Sequence, residues 1–200
     1  MLFESNIQDI LRLLPSSRIR KAKTEMRELL MQKRRLLTDE ETAEATAQVI
    51  EQIEQLEVFQ RARTVLIYYP VHHELSVLPL VKRYKHEKTI LFPVTHRKSM
   101  DACPYAGNEN MHYGKFHIPE PTTEPYTGKI DLIIVPCVAF DRKCNRLGQG
   151  GGYYDRFIGK HLRSKCIGVG YDFQLVDSVP TSRHDKQLDG IITPSHSILR

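Results

Sequence analysis

Two hundred residues suffice for one α/β domain with a sizeable core, or at most two small ones. With 40% hydrophobic and 26% charged residues the chain reads as a water-soluble globular protein, and no apolar run approaches the roughly 20 residues that span a bilayer. The formal charge of +5 favours anionic partners such as nucleotides, polyanionic cofactors or nucleic acid, although a modest excess of this kind also serves solubility.

Residues 1–17 place Ile7, Ile10, Leu11 and Leu14 at helical spacing before Pro15, which reads as a short extra helix or a loosely ordered terminus. Glu4 and Asp9 break any basic, apolar start, so no secretory signal is expected and the chain is expected in the cytoplasm. Cys103, Cys137, Cys144 and Cys166 form no CxxC pair and no zinc-like spacing, consistent with reduced thiols.

A helix is expected from Ser17, with Ile19, Ala22, Met26, Leu29 and Leu30 as its apolar stripe. Its remaining faces carry Arg18, Arg20, Lys21, Lys23, Arg27, Lys33, Arg34 and Arg35. Lys23 and Arg27 are four apart and share a face, where two cations could grip polyphosphate; a solvated basic face is the plainer reading. Thr38-Asp39-Glu40-Glu41 is a capping box for a second helix, with Ala43, Ala47, Ile50 and Ile53 as its buried edge.

Residues 64–70 form an apolar run ended by Pro70, the pattern of a strand buried on both faces in a parallel sheet. Ser76 can cap a helix to about Tyr84, and residues 89–94 repeat the buried-strand pattern. Residues 95–128, rich in Gly, Pro, His and Tyr, predict short irregular strands and a loop. Further strands are expected at 130–136, 165–170 and 190–193, with a helix at 152–162 whose Tyr154, Ile158 and Leu162 face inward. Alternating strands and helices imply a three-layer α/β fold, a mostly parallel Rossmann-like sheet flanked by helices, as one domain at 18–200. In such sheets ligands gather at the carboxyl ends of strands, where Glu74, the glycines at 148–152 and Asp172 all fall.

Those glycines are the strongest local signal. Four of the chain's eleven stand within Gly148-Gln149-Gly150-Gly151-Gly152, after a strand and before a helix. Such a loop lets backbone N–H groups approach an anion, and the helix N-terminus adds partial positive charge. It matches neither the Walker order, since no lysine follows, nor GxGxxG. Asp155, three residues on, is suited to Mg²⁺, or to the helix dipole alone. His72-His73-Glu74 suggests a metal, but neighbours on an extended strand face opposite ways, so Glu74 is better read as an acceptor for a ligand N–H. Phe116 is a stacking wall or a core plug, and His184-Asp185 a dyad or surface polarity.

Read together, the motifs resemble the 5-formyltetrahydrofolate cyclo-ligase family. The resemblance rests on Lys23-x-x-Met26-Arg27, Tyr69-Pro70 with Glu74, and Gly114-x-Phe116-x-Ile118-Pro119-Glu120-Pro121. It continues through Val135-Pro136-x-x-Ala139-Phe140-Asp141 and Asn145-Arg146-Leu147-Gly148-x-Gly150-x-Gly152-Tyr153-Tyr154-Asp155, then Asp185, Asp189 and Thr193-Pro194. It implies ATP- and Mg²⁺-dependent closure of 5-formyltetrahydrofolate, with or without a polyglutamate tail, to 5,10-methenyltetrahydrofolate through a phosphorylated formyl group. It further implies ATP contacts from Lys23, Arg27, Arg146 and Gly148, Gln149, Gly150, Gly151, Gly152, Tyr153 and Tyr154, with Tyr153 and Arg146 catalytic. Glu74, Phe116 and Tyr153 would line the folate pocket, and Asp155 and Asp189 would hold Mg²⁺. Phe116 stands where many members carry tryptophan, Gln149 where some have arginine and Gly151 where some have lysine. The loop therefore carries less charge of its own, and Lys23, Arg27 and Arg146 must supply more. The competing readings are a nucleotide-binding regulator or an RNA-binding protein without turnover. No RNA-recognition pattern supports the latter, and neither nucleic acid, a membrane nor a second subunit is expected as partner.

Overall fold

The computed structural model describes residues 16–200, so the reading of residues 1–17 as a short extra helix or a loosely ordered terminus lies, but for Ser16 and Ser17, outside the described residues. Two helices open the described chain, α1 (Ser16–Arg35) and α2 (Asp39–Gln55), followed by the short α3 (Glu57–Arg61). The capping box forms: Thr38 Oγ1 accepts from the Glu41 N–H at 3.1 Å, and the Glu41 carboxylate accepts from the Thr38 N–H at 2.8 Å.

The central sheet has seven strands in the order β12-β11-β9-β6-β1-β2-β3. They are β1 (Thr64–Leu66), β2 (Thr89–Thr95), β3 (Met100–Pro104), β6 (Leu132–Pro136), β9 (Lys165–Val169), β11 (Gly190–Ile192) and β12 (Ser197–Leu199). The five inner strands run parallel, and β3 and β12 close the edges antiparallel. Between β1 and β2 lies α4 (Leu78–Tyr84), and between β8 and β9 lies α5 (Tyr153–Lys160).

The layers follow from the two-residue period of a strand. Val65, Ile67, Leu132 and Ile134 point to one face and meet Val49, Ile50, Ile53, Phe59 and Leu80 from α2, α3 and α4. Leu66, Ile133 and Val135 point to the other and meet Phe157 and Ile158 of α5. Continuous apolar strands are thus buried on both faces.

A third, smaller cluster decides where α1 sits. Leu30 packs on Val138, Ala139, Leu147 and Val179. Ala139 and Leu147 belong to β7 (Ala139–Asp141) and β8 (Arg146–Leu147), which with β10 (Leu175–Val176) make a small sheet immediately before the glycine loop. The pair β4 (Met111–Tyr113) and β5 (Pro119–Pro121) completes the strands of the described residues.

Several expectations are corrected. Ala45 and Val49, with Ile50 and Ile53, form the buried edge of α2, whereas Ala43 and Ala47 are exposed. Leu29 and Leu162 are exposed rather than inward. α5 ends at Lys160, so its inward face stops at Phe157 and Ile158. Arg34, read as part of a solvated face, is only 2% exposed.

Candidate functional site

The loop between β8 and α5 is shaped by two glycines. Gly150 has φ 104° and Gly152 φ 66°, left-handed values that favour glycine, and Gly152 is the residue from which α5 starts. Arg156, one turn into α5, holds the loop from below: Nη2 donates to the Gly151 carbonyl at 2.8 Å and Nε to that of Lys98 at 2.7 Å.

Helix α1 brings its cations to this loop. Lys23, Arg27, Leu30 and Arg34 fall within a narrow sector at 3.6 residues per turn, so the apolar contact that docks Leu30 aims the three basic side chains the same way. Arg27 Nε donates to the Gly148 carbonyl at 2.8 Å, and its guanidinium lies 3.6 Å from where a side chain on Gly150 would begin. Burial holds the Arg27 pKa below its usual value, with Asp185 opposing that effect. Lys23 Nζ meets Asp185 Oδ2 at 2.5 Å. Asp185 also accepts from the Ser182 N–H and hydroxyl, and its neighbour His184 pairs with Arg183, in keeping with the surface-polar alternative for this pair.

Arg146, 5% exposed, pairs with Asp155 across 2.9 Å and lies 5.8 Å from the Tyr154 ring centroid. The other Asp155 oxygen accepts from the Lys186 N–H at 3.0 Å. Asp189 is committed elsewhere. Its oxygens take Lys165 Nζ at 2.7 Å and the Cys166 N–H at 2.9 Å, at the amino end of β9. The five-residue strand puts that end about 13 Å from its carboxyl end. No group of three or more metal-ligating side chains occurs among the described residues.

Glu74 follows a turn in which His72 (φ 50°) and His73 (φ 57°) are both left-handed, not the extended strand expected for them. The two histidines point outward while Glu74 is 7% exposed. Its Oε1 accepts from Gln149 Nε2 at 2.8 Å, a direct link between this turn and the glycine loop. Oε2 accepts from the Val71 N–H at 3.2 Å, and Arg34 Nη1 lies 3.8 Å from Oε1. Burial pushes the Glu74 carboxyl up, against the pull of Arg34, the Val71 N–H, Gln149 and His72. Around it the hydroxyls of Tyr68 and Tyr154 and the thiol of Cys137 are pushed up by burial, Cys137 to about 12. Among the described residues the Tyr154 hydroxyl and Arg34 Nη2 are buried donors without a hydrogen-bond partner.

Tyr153 and Phe116 form a separate aromatic corner, edge to face with centroids 6.2 Å apart. The Tyr153 hydroxyl donates to the His96 carbonyl at 3.2 Å, and Arg156 lies 5.2 Å from its ring centroid. Asp172, grouped at first with the site residues, instead accepts from Thr193 Oγ1 at 2.5 Å and from Ser195 N and Oγ at 3.1 and 2.9 Å, pinning the β11–β12 turn.

Glu74, Gln149, Arg27, Arg146 and Asp155 are thus linked directly to the loop or to its flanking residues, and Tyr153 and Phe116 stand at its far side. Sequence reasoning missed Arg34 and Arg156. Arg34 stands seven residues beyond Arg27, so helical periodicity alone puts it on the same face.

The model of the 5-formyltetrahydrofolate cyclo-ligase family matches residues 19–194. The 5-formyltetrahydrofolate cyclo-ligase of Escherichia coli strain K12 is 29% identical over 177 residues, covering 84% of this chain and 97% of that protein. A probable 5-formyltetrahydrofolate cyclo-ligase of Caenorhabditis elegans is 28% identical, covering 92% and 98%. Among solved structures, the NMR structure of Aquifex aeolicus 5,10-methenyltetrahydrofolate synthetase superposes with a TM-score of 0.79 at 30% identity, covering 88% of this chain and 92% of that one.

Proposed function

The chain belongs to the 5-formyltetrahydrofolate cyclo-ligase family, and we propose that it converts 5-formyltetrahydrofolate to 5,10-methenyltetrahydrofolate at the expense of ATP. The observation that carries the reading is the Gln149–Glu74 hydrogen bond, because it joins a phosphate-type loop to a buried acceptor suited to a folate ring. A formyl oxygen is a poor leaving group, and phosphorylation corrects that. The formyl oxygen attacks the γ-phosphorus, and the bond to ADP breaks. N10 then attacks the formyl carbon and loses its proton as phosphate departs with the oxygen, leaving the N5–CH–N10 bridge of the methenyl cation.

Phosphoryl transfer needs alignment and charge neutralisation more than a protein nucleophile. Backbone N–H groups of residues 148–154 would cradle the phosphates, with Lys23, Arg27 and Arg146 as the cations beside them. Arg146, buried and held by Asp155, is suited to the charge that develops on the transferring group. Tyr153 and Phe116 would wall the formyl end of the folate. Glu74 would accept N–H donors of its pterin ring. Asp155, a carboxylate in the first turn of α5 beside the loop, fits Mg²⁺, which takes one or two carboxylates with phosphates and water, whereas the Asp189 oxygens are taken by Lys165 and the Cys166 N–H. Bound there, Mg²⁺ would neutralise phosphate charge.

The test mixes the full chain with 5-formyltetrahydrofolate, ATP and Mg²⁺ and follows the near-ultraviolet absorbance of the methenyl product together with phosphate release. Equal appearance of both, dependent on ATP, is expected. Folded protein that binds nucleotide and yields no product would instead make it a regulator.

A further inference from the structure

Buried arginines in a soluble protein almost always have a full set of acceptors, because an uncompensated guanidinium is costly in a low-dielectric interior. Arg34 does not. It is 2% exposed, its Nη2 has no hydrogen-bond partner among the described residues, and its ion pair among them is the 3.8 Å approach of Nη1 to Glu74. It comes from α1, an element joined to the turn of Glu74 by no sheet pairing. It lies eleven residues, about 16 Å of helix, beyond Lys23, and seven beyond Arg27, which binds the glycine loop. The helix that binds the loop through Arg27 thus places a second cation, Arg34, on the Glu74 carboxylate.

We infer that Arg34 is a positioning residue for Glu74: its buried guanidinium keeps the carboxylate ionised and fixed, so that it can accept the N–H donors of the folate ring. The inference rests on the reading of Glu74 as the folate-binding group. The surroundings leave that task to Arg34. Gln149 from the loop and the Val71 N–H are neutral donors, and His72 on Glu74's own turn is exposed. Tyr68 after β1, Tyr154 of α5, Cys137 after β6 and Tyr171 after β9 also interact with the carboxylate. Burial raises the pKa of each, so they remain neutral and leave it uncompensated. Removing the guanidinium takes away an opposite charge at close range, which moves a carboxyl group upward by about one to three pH units.

The experiment compares Arg34→Met, Arg34→Lys, Glu74→Gln and the double variant as full-length proteins. It measures kcat and separate KM values for 5-formyltetrahydrofolate and ATP as a function of pH. For Arg34→Met, the folate KM should climb as pH falls, along a limb about one to three units above that of wild type. The KM for ATP should stay constant, and Arg34→Lys should restore most of the folate affinity. Adding Arg34→Met to Glu74→Gln should change nothing further. A parallel rise in both KM values with no pH limb would mean Arg34 only holds α1 in place, and would overturn the inference. So would wild-type behaviour of Arg34→Met beside an impaired Glu74→Gln. Wild-type folate binding by Glu74→Gln would instead remove the reading of Glu74 itself, and the inference with it. If Arg34→Met does not fold, Arg34→Gln, which keeps hydrogen-bonding capacity without the charge, carries the same comparison.

Discussion

At the scale of single residues the site is a set of charges that balance one another until substrates arrive. Asp155 is bonded at both oxygens, to Arg146 and to the Lys186 N–H, so it orients the Arg146 guanidinium. Replacing it by asparagine keeps the shape and removes the charge. Asp155→Asn should lose about 100-fold in kcat, the scale of deleting one preorganised electrostatic group, while thermal stability stays near wild type. Unchanged turnover and unchanged Mg²⁺ dependence would contradict its assigned place. Residue identity made this position visible in the sequence, as a carboxylate three residues past a glycine loop that suits either Mg²⁺ or the helix dipole. It did not separate Asp155 from Asp189, whose carboxylate instead ties the amino end of β9, since only the sheet register tells the two apart.

At the scale of elements the decisive piece is α1. One apolar docking contact, Leu30 on β7 and β8, orients three basic residues toward one site. Those residues should therefore fail differently. Arg27→Ala removes a charged hydrogen bond worth about 1.5–3 kcal/mol, and should raise the KM for ATP about 10- to 100-fold with little effect on that for folate. The reverse pattern, read from the two KM values, would move this part of the helix to the folate side. The capping box and the apolar stripes of the strands were legible because they are local. The burial of Arg34 was not, since a charge run on a helix ordinarily faces water and only the partner surface reveals otherwise.

At the scale of the whole molecule, the parallel sheet and its two covering layers could be read from the runs at 64–70, 89–94 and 130–136, and the extra sheet β10-β7-β8 could not. Strands of two or three residues carry too little periodicity to announce themselves. The same limit hid the β11–β12 hairpin and with it the role of Asp172. Burial works against the Asp172 charge, but hydrogen bonds from Thr193, Ser195 and His196 outweigh it and hold the carboxyl below its ordinary range. A carboxyl depressed in the folded state stabilises above its unfolded pKa, near 3.9, and that contribution is lost as pH falls through the folded value. Asp172→Ala should therefore lower Tm at pH 7 by about 2–6 °C, the effect of losing roughly 1–2 kcal/mol of hydrogen bonding. The difference from wild type should shrink below about pH 4. A pH-independent difference in Tm would assign the loss to packing instead.

The central claim, that the formyl oxygen is made a leaving group by phosphorylation, has a direct isotopic test. 5-Formyltetrahydrofolate labelled with oxygen-18 in the formyl group is converted with unlabelled ATP, and the released inorganic phosphate is analysed by mass spectrometry. The account predicts one labelled oxygen in each phosphate, carried from substrate to product along the bond that phosphoryl transfer forms. Unlabelled phosphate, with the label recovered in water, would contradict it.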